Sequence, residues 1–182
     1  MLNSITKKDA YPLPRIDDSY LQLQGAKYFT SLDLQNGYWQ IPLTDDAIPK
    51  TAFSTRYGQY EWKVMPFGLC NALASFQRAM NDILRPYLDK FCMVYLDDIL
   101  IYSRTEKEHK KHVRKVLKAL AKAKMILNLD KCRFNQSSIR FLGHIISAEG
   151  IKPDPEKIKK QFHGILPNYV DSLQYAVIIG NT

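Results

Sequence analysis

Apolar and polar positions along this chain follow two rhythms. In AKYFTSLDL (26–34) they alternate with a period near two, which predicts a β-strand ending at Asp33. WQIPL (39–43) predicts a second short strand. TAFSTRYGQYEWKVM carries two β-rich runs around Tyr57-Gly58, the pattern of a hairpin. From Asn71 the rhythm changes. Phe76, Met80, Ile83, Leu84 and Tyr87 recur at helical spacing, with Asn71 as N-cap and Pro86 near the end. FCMVYL and ILIYS then predict two apolar strands joined at Asp97-Asp98. A long helix follows, with Val113, Val116, Leu117 and Leu120 on one face. Its other face carries Lys110, Lys111, Arg114, Lys115, Lys118 and Lys122. IRFLGHIISAEGI predicts a closing hairpin turned at Glu149-Gly150. The order of strands, helix, hairpin, helix and hairpin gives an α+β class, an antiparallel sheet backed by helices.

Composition narrows this picture. A chain of 182 residues, 46% hydrophobic and 24% charged, suits one globular domain and excludes disorder. The opening MLNSITKKDAYPLP has no apolar core of a signal peptide, and no apolar run approaches the roughly 20 residues of a membrane span. The expectation is a soluble, intracellular protein with no membrane partner. Cys70, Cys92 and Cys132 are odd in number and lack CxxC spacing, so they read as reduced core residues. The net charge of +8 is uneven. Residues 1–100 hold 10 Lys/Arg against 11 Asp/Glu, and residues 101–182 hold 16 against 7. Such a basic half suits a polymer of phosphates as partner, and equally a solvated helix face.

Asp97 and Asp98 change the picture more. Two adjacent carboxylates inside an apolar run are costly to desolvate unless a cation meets them. They fit either a solvated turn, where Asp is common, or a metal site. The turn lacks the Gly or Asn that hairpin chemistry favours. Asp33 ends another apolar strand with no evident local purpose. If the two elements are neighbours in one sheet, the three carboxylates converge and call for hard divalent cations such as Mg²⁺. That is the protein half of a two-metal phosphoryl-transfer site. His109 and His112 lie three apart, but no Cys or carboxylate completes a zinc set with them. His144 reads as packing and hydrogen bonding.

These segments are also recognisable. YLDD between apolar strands resembles motif C of reverse transcriptases, YFTSLDLQNGYWQIPL their motif A, and VMPFGLCNALASFQRAMNDIL their motif B. YPLPRID, KTAFST, LDKCRF, FLGHIIS and EGIKPDPEKI are similar to the polymerase of gypsy-like LTR retrotransposons. The resemblance covers residues 2–160. It implies a reverse-transcriptase palm with partial fingers over 1–160, followed by a divergent tail over 161–182. It further implies an RNA-directed DNA polymerase that uses two Mg²⁺ ions, with Mn²⁺ as a substitute, on dNTPs and an RNA or DNA template-primer. The family works in cytoplasmic virus-like particles. Asp33, Asp97 and Asp98 match its metal triad, with Asp97 and Asp33 bridging, Asp98 less direct and the Leu34 carbonyl an extra ligand. Amides near Asn36 and Gly37 match positions facing the triphosphate. Tyr38 matches the aromatic that stacks under the incoming sugar and excludes ribonucleotides. Phe67 matches the neighbour of the nascent base pair, Gly68 a point of close backbone approach, and Lys131 a lysine placed to protonate leaving pyrophosphate. From the residues alone, Phe67 reads equally as a core aromatic and Lys131 as a solvated lysine, while a core aromatic is the lesser alternative for Tyr38.

The chain also departs from the family. Leu73 stands where proline is usual. The fingers segment that carries triphosphate-gripping cations is expected upstream of Met1, with Lys7, Lys8 and Arg15 as partial substitutes. Thumb, connection and RNase H segments of a parent polyprotein are expected downstream. The alternative to a polymerase is a truncated, non-catalytic remnant acting as a basic nucleic-acid-binding module.

Overall fold

The computed structural model describes residues 2–12 and 21–156. After a single helical turn, α1 (Leu2–Ile5), come β1 (Tyr28–Asp33) and the hairpin of β2 (Phe53–Thr55) and β3 (Gly58–Tyr60). Helix α2 (Ala72–Leu84) leads to the hairpin of β4 (Cys92–Tyr95) and β5 (Asp98–Ser103), then to helix α3 (Glu106–Lys122). The described residues close with β6 (Arg133–Gln136), β7 (Ser138–Phe141), β8 (His144–Ser147) and β9 (Gly150–Pro153).

Four strands form one antiparallel sheet in the order β4-β5-β1-β6. Successive residues of a strand face opposite sides, and the middle of β5, Ile99, Leu100 and Ile101, is apolar because both sides are covered. Ile99 and Ile101, with Leu32 of β1, meet Phe76, Met80 and Leu84 of α2 and Val116 and Leu120 of α3. Leu100 and Tyr102, with Phe29, meet Ile139, Phe141 and Ile146 of a second sheet, β7-β8-β9. The fold is therefore α+β in three layers, helices on one side of the main sheet and a small meander on the other.

Several elements differ from the sequence reading. WQIPL is not a strand. Gly37–Gln40 forms a 3-10 turn, and Pro42 makes one isolated bridge to Val64. Asn36 takes a left-handed conformation that starts the turn, and Pro42 has no N–H with which to extend a ladder. The last hairpin is a three-stranded meander. Leu142 and Gly143, both at positive φ, make its first turn, while Gly150 opens β9. The hairpin near Tyr57 turns one residue earlier, since Thr55 pairs with Gly58. Cys92 and Cys132 are buried as expected, whereas Cys70 is exposed.

Both helices begin as their sequences dictate, by different chemistry. Thr105 caps α3, its hydroxyl accepting from the Glu108 N–H at 3.3 Å. Asn71 stands at the N-cap of α2, but its side chain does not cap. Its Nδ2 donates to the Lys7 carbonyl and its Oδ1 accepts from the Asp9 N–H, which straps residues 7–9 to the helix. The tail over 161–182 lies outside the described residues, as does Arg15.

Candidate functional site

The site lies where β1 ends and the β4–β5 hairpin turns. Asp33 closes β1, Asp98 opens β5, and the two are direct cross-strand partners. Opposed residues of an antiparallel pair share a face, so both carboxylates stand on the side away from the helices. There they line a cleft with Lys131, Arg133, Arg140 and the Leu142-Gly143 turn. Asp97 sits in the turn itself, near Gly37 and Phe76. Its Oδ1 is buried and has no hydrogen-bond partner among the described residues.

Two features hold that turn. Leu96 occupies its first central position with φ 54°, a conformation that costs a non-glycine residue about 1–2 kcal/mol. The compensating contact comes from Gln77 of α2, which is fully buried. Its Oε1 accepts from the Leu96 N–H at 2.8 Å, and its Nε2 donates to the Val94 carbonyl at 3.1 Å and to Asn81 Oδ1 at 2.9 Å. The sequence reading passed over Gln77. The signal was a polar residue between Phe76 and Met80 on the inward side of an amphipathic helix.

Electrostatics follow from this placement. Burial, then the charge of Asp33, pushes the Asp97 carboxyl above the usual carboxylate range. Asp98 is raised by burial and by the charges of Asp33 and Asp97. Although its side chain reaches solvent, packed chain on one side suffices for that direction. Lys131 Nζ approaches Asp33 Oδ1 at 3.9 Å from an exposed position. Among the described residues no three His, Cys, Asp or Glu groups stand close enough to ligate one ion as placed. The donor chemistry still fits a hard divalent cation: Asp97 and Asp98 carboxyls whose affinity for a proton is raised by burial and by the charge of Asp33, and a buried oxygen without a partner among the described residues.

The remaining residues surround this centre unequally. Gly37 is buried, and a Cβ there would fall 2.8 Å from Phe76 Cζ and 3.2 Å from Asp97 Oδ1, so the contact admits only glycine without displacement. Tyr38 packs edge-on to Phe67 at 5.1 Å and against Phe76 at 5.0 Å. Its phenol is raised by burial and by Asp97. Phe67 is 61% exposed, which sets aside the core-packing alternative. Asn36 is exposed, and the Leu34 side chain is buried beside its bridge to Leu127. Around Gly68 no protein atom lies within 4 Å of a Cβ built there, so the space beside its backbone is open. Its φ of 91° is what demands glycine. Lys7 and Lys8 lie on the exposed N-terminal strap. His109 and His112 share Ser103 Oγ at 2.9 and 2.8 Å, on the helix side of the sheet.

Known proteins share much of this sequence and its fold. The chain is 51% identical over 158 residues to the retrovirus-related Pol polyprotein from transposon 297 of Drosophila melanogaster, covering 87% of this chain and 15% of that protein. It is 42% identical over 159 residues to the transposon Tf2-3 polyprotein of Schizosaccharomyces pombe, covering 87% and 12%. The chain thus spans a small part of the polyproteins it matches. Its fold matches the foamy viral protease-reverse transcriptase solved with an RNA/DNA hybrid, at TM-score 0.78 and 30% identity over 87% of this chain and 21% of that one. A second foamy viral structure, solved with double-stranded DNA, gives TM-score 0.81 and 30% identity over 90% and 28%. Residues 1–146 match the model for reverse transcriptase (RNA-dependent DNA polymerase), and the chain belongs to that family.

Proposed function

We propose that this chain is the palm, with part of the fingers, of an RNA-directed DNA polymerase that extends a DNA primer on an RNA or DNA template. The observation that carries this reading is the pairing of Asp33 with Asp98 at one end of the main sheet, with Asp97 in the adjoining turn and a buried Asp97 oxygen lacking a partner among the described residues. Asp33, Asp97, Asp98 and the Leu34 carbonyl would hold the metal. Two Mg²⁺ ions held there, or Mn²⁺ in their place, would supply the activation of a primer hydroxyl and the neutralisation of leaving pyrophosphate.

The chain's own residues do the rest. The β4–β5 turn, fixed by Gln77, sets where the Asp97 carboxylate stands. Gly37 keeps its backbone close to that carboxylate, so the amides of Asn36 and Gly37 can meet a triphosphate. Tyr38, held between Phe67 and Phe76, offers the edge that a 2′-hydroxyl would strike, which favours dNTPs. Phe67 presents an exposed ring to a base pair. Lys131 stands at the Asp33 side, where its ammonium can deliver a proton to the departing pyrophosphate. Cytoplasmic particles of the kind retroelements build are the proposed setting, with the rest of a longer polyprotein as partner. Among the described residues no helix is long and apolar enough to cross a membrane.

The test is primer extension on poly(rA)/oligo(dT) with Mg²⁺ and then Mn²⁺, comparing the chain with Asp97→Asn. Extension lost in the variant supports the assignment. Equal extension by both removes Asp97 from it, and no extension by either, with magnesium-dependent hybrid binding, marks a site that this chain alone cannot use.

A further inference from the structure

A groove of about 550 Å³ lies between α3 and β6 and shares no lining residue with the carboxylate cleft. Its floor is apolar: Val113, Leu117, Ala121 and Phe134, the last 41% exposed. Its rim is cationic. Lys110, Arg114 and Lys118 recur every four residues, which sets them in a row along the helix at steps of about 6 Å. Lys110 pairs with Glu106 at 2.7 Å, while no salt bridge engages Arg114 or Lys118 among the described residues.

The polar groups at the back of the groove are already satisfied. Thr30 Oγ1 is 2.7 Å from His109 Nε2 and accepts from the Asn135 N–H at 3.1 Å. The groove therefore offers a ligand no buried polar anchor. It offers apolar area beneath a row of positive charge.

We propose that this groove docks an acidic amphipathic segment of a partner protein. Apolar side chains of the segment cover Phe134, Leu117 and Val113, and its Asp or Glu residues, repeating every three to four positions, meet Lys110, Arg114 and Lys118. Charge complementarity selects this occupant. A second copy would bring one basic face against another. Residues 157–182 carry Lys157, Lys159 and Lys160 against Asp171, so they match the rim poorly. Single-stranded nucleic acid binds by stacking successive bases on aromatic rings, and this floor is aliphatic except for Phe134.

The probe is a fluorescein-labelled 18-residue helical peptide with Leu at alternating three- and four-residue spacing and Glu along both flanks. Its binding to the full chain is read by anisotropy, beside a scrambled peptide of the same composition and oligo(dT)20. The ordered peptide should bind at least about tenfold more tightly than the scrambled one. K110E/R114E/K118E should weaken it at least about tenfold, and Phe134→Ala about threefold to fivefold. Lys90→Glu, away from the groove, should leave it unchanged, with circular dichroism confirming that each variant folds. Equal binding of the scrambled peptide overturns the proposal, as does no binding of the ordered one. Tighter binding of oligo(dT)20 that displaces the peptide and is lost in the triple variant assigns the surface to nucleic acid instead.

Discussion

At Asp97 a carboxylate is held among protein atoms with one buried oxygen that has no hydrogen-bond partner among the described residues. Its folded pKa lies above its unfolded one. The native state therefore binds more protons than the unfolded chain between those two values, and stability falls as pH rises through that window. Above both values the full penalty is present. Asp97→Asn should then unfold at a higher temperature than the parent chain while losing primer extension by about a thousandfold, the effect of several kcal/mol of transition-state stabilisation. Mg²⁺ should raise the melting temperature of the parent chain and do so less in the variant, which differential scanning fluorimetry reads directly. Gly37 is the complementary case. Gly37→Ala pushes a methyl group into Phe76, which is fully buried, and toward Asp97. A cost of about 1–3 kcal/mol in urea unfolding is expected, with a loss of extension at temperatures where the variant is still folded.

The α2 helix and the β4–β5 hairpin work as one element through Gln77. Gln77→Ala leaves the Leu96 N–H and the Val94 carbonyl without their partner and should cost about 1–3 kcal/mol of stability. Extension should fall further than that loss explains, because the turn carrying Asp97 is released. Such a link could not be read from periodicity, which marks where a helix is buried and says nothing about which buried residue is polar by design. What was legible were β1, β4 and β5 of the main sheet, the two long helices and the three carboxylates, each announced by a run of one rhythm or a charge that broke it, whereas the mostly polar β6 carried no such rhythm. WQIPL misled because its apolar residues serve a 3-10 turn and an isolated bridge. IRFLGHIISAEGI hid one turn beyond that near Glu149-Gly150, since Leu142 at positive φ leaves no mark in the sequence. At the other end of β5, His109 and His112 join α3 to Ser103, and burial lowers both imidazoles below their ordinary value of 6.5. Both are bound neutral, so the stability they permit is complete above that value and lost as pH falls through the lowered one. Thermal unfolding followed between pH 7.5 and 5 should show that decline, and His109→Gln should flatten it.

At the scale of the whole molecule, charge is divided as labour is. The carboxylates stand in the half with balance −1 and the cations in the half with balance +9, from 10 minus 11 and 16 minus 7. Hybrid binding should depend steeply on salt, weakening about a thousandfold between 50 and 200 mM if some six phosphates are contacted. Filter binding across that range checks it, and a flat response would show that the basic half does not reach the backbone. The first dozen residues bind the assembly in a different manner. Asn3 donates to the Gly68 carbonyl and accepts from the Cys70 N–H, Asp9 pairs with Arg78, and the Tyr11 hydroxyl accepts from Asn81. Asn81 in turn holds Gln77, and Gln77 holds the turn. The N-terminal segment is thus a drawstring: tension or slack at one end travels along α2 to the carboxylate, so trimming residues far from the chemistry would loosen it without altering a single group that does the chemistry.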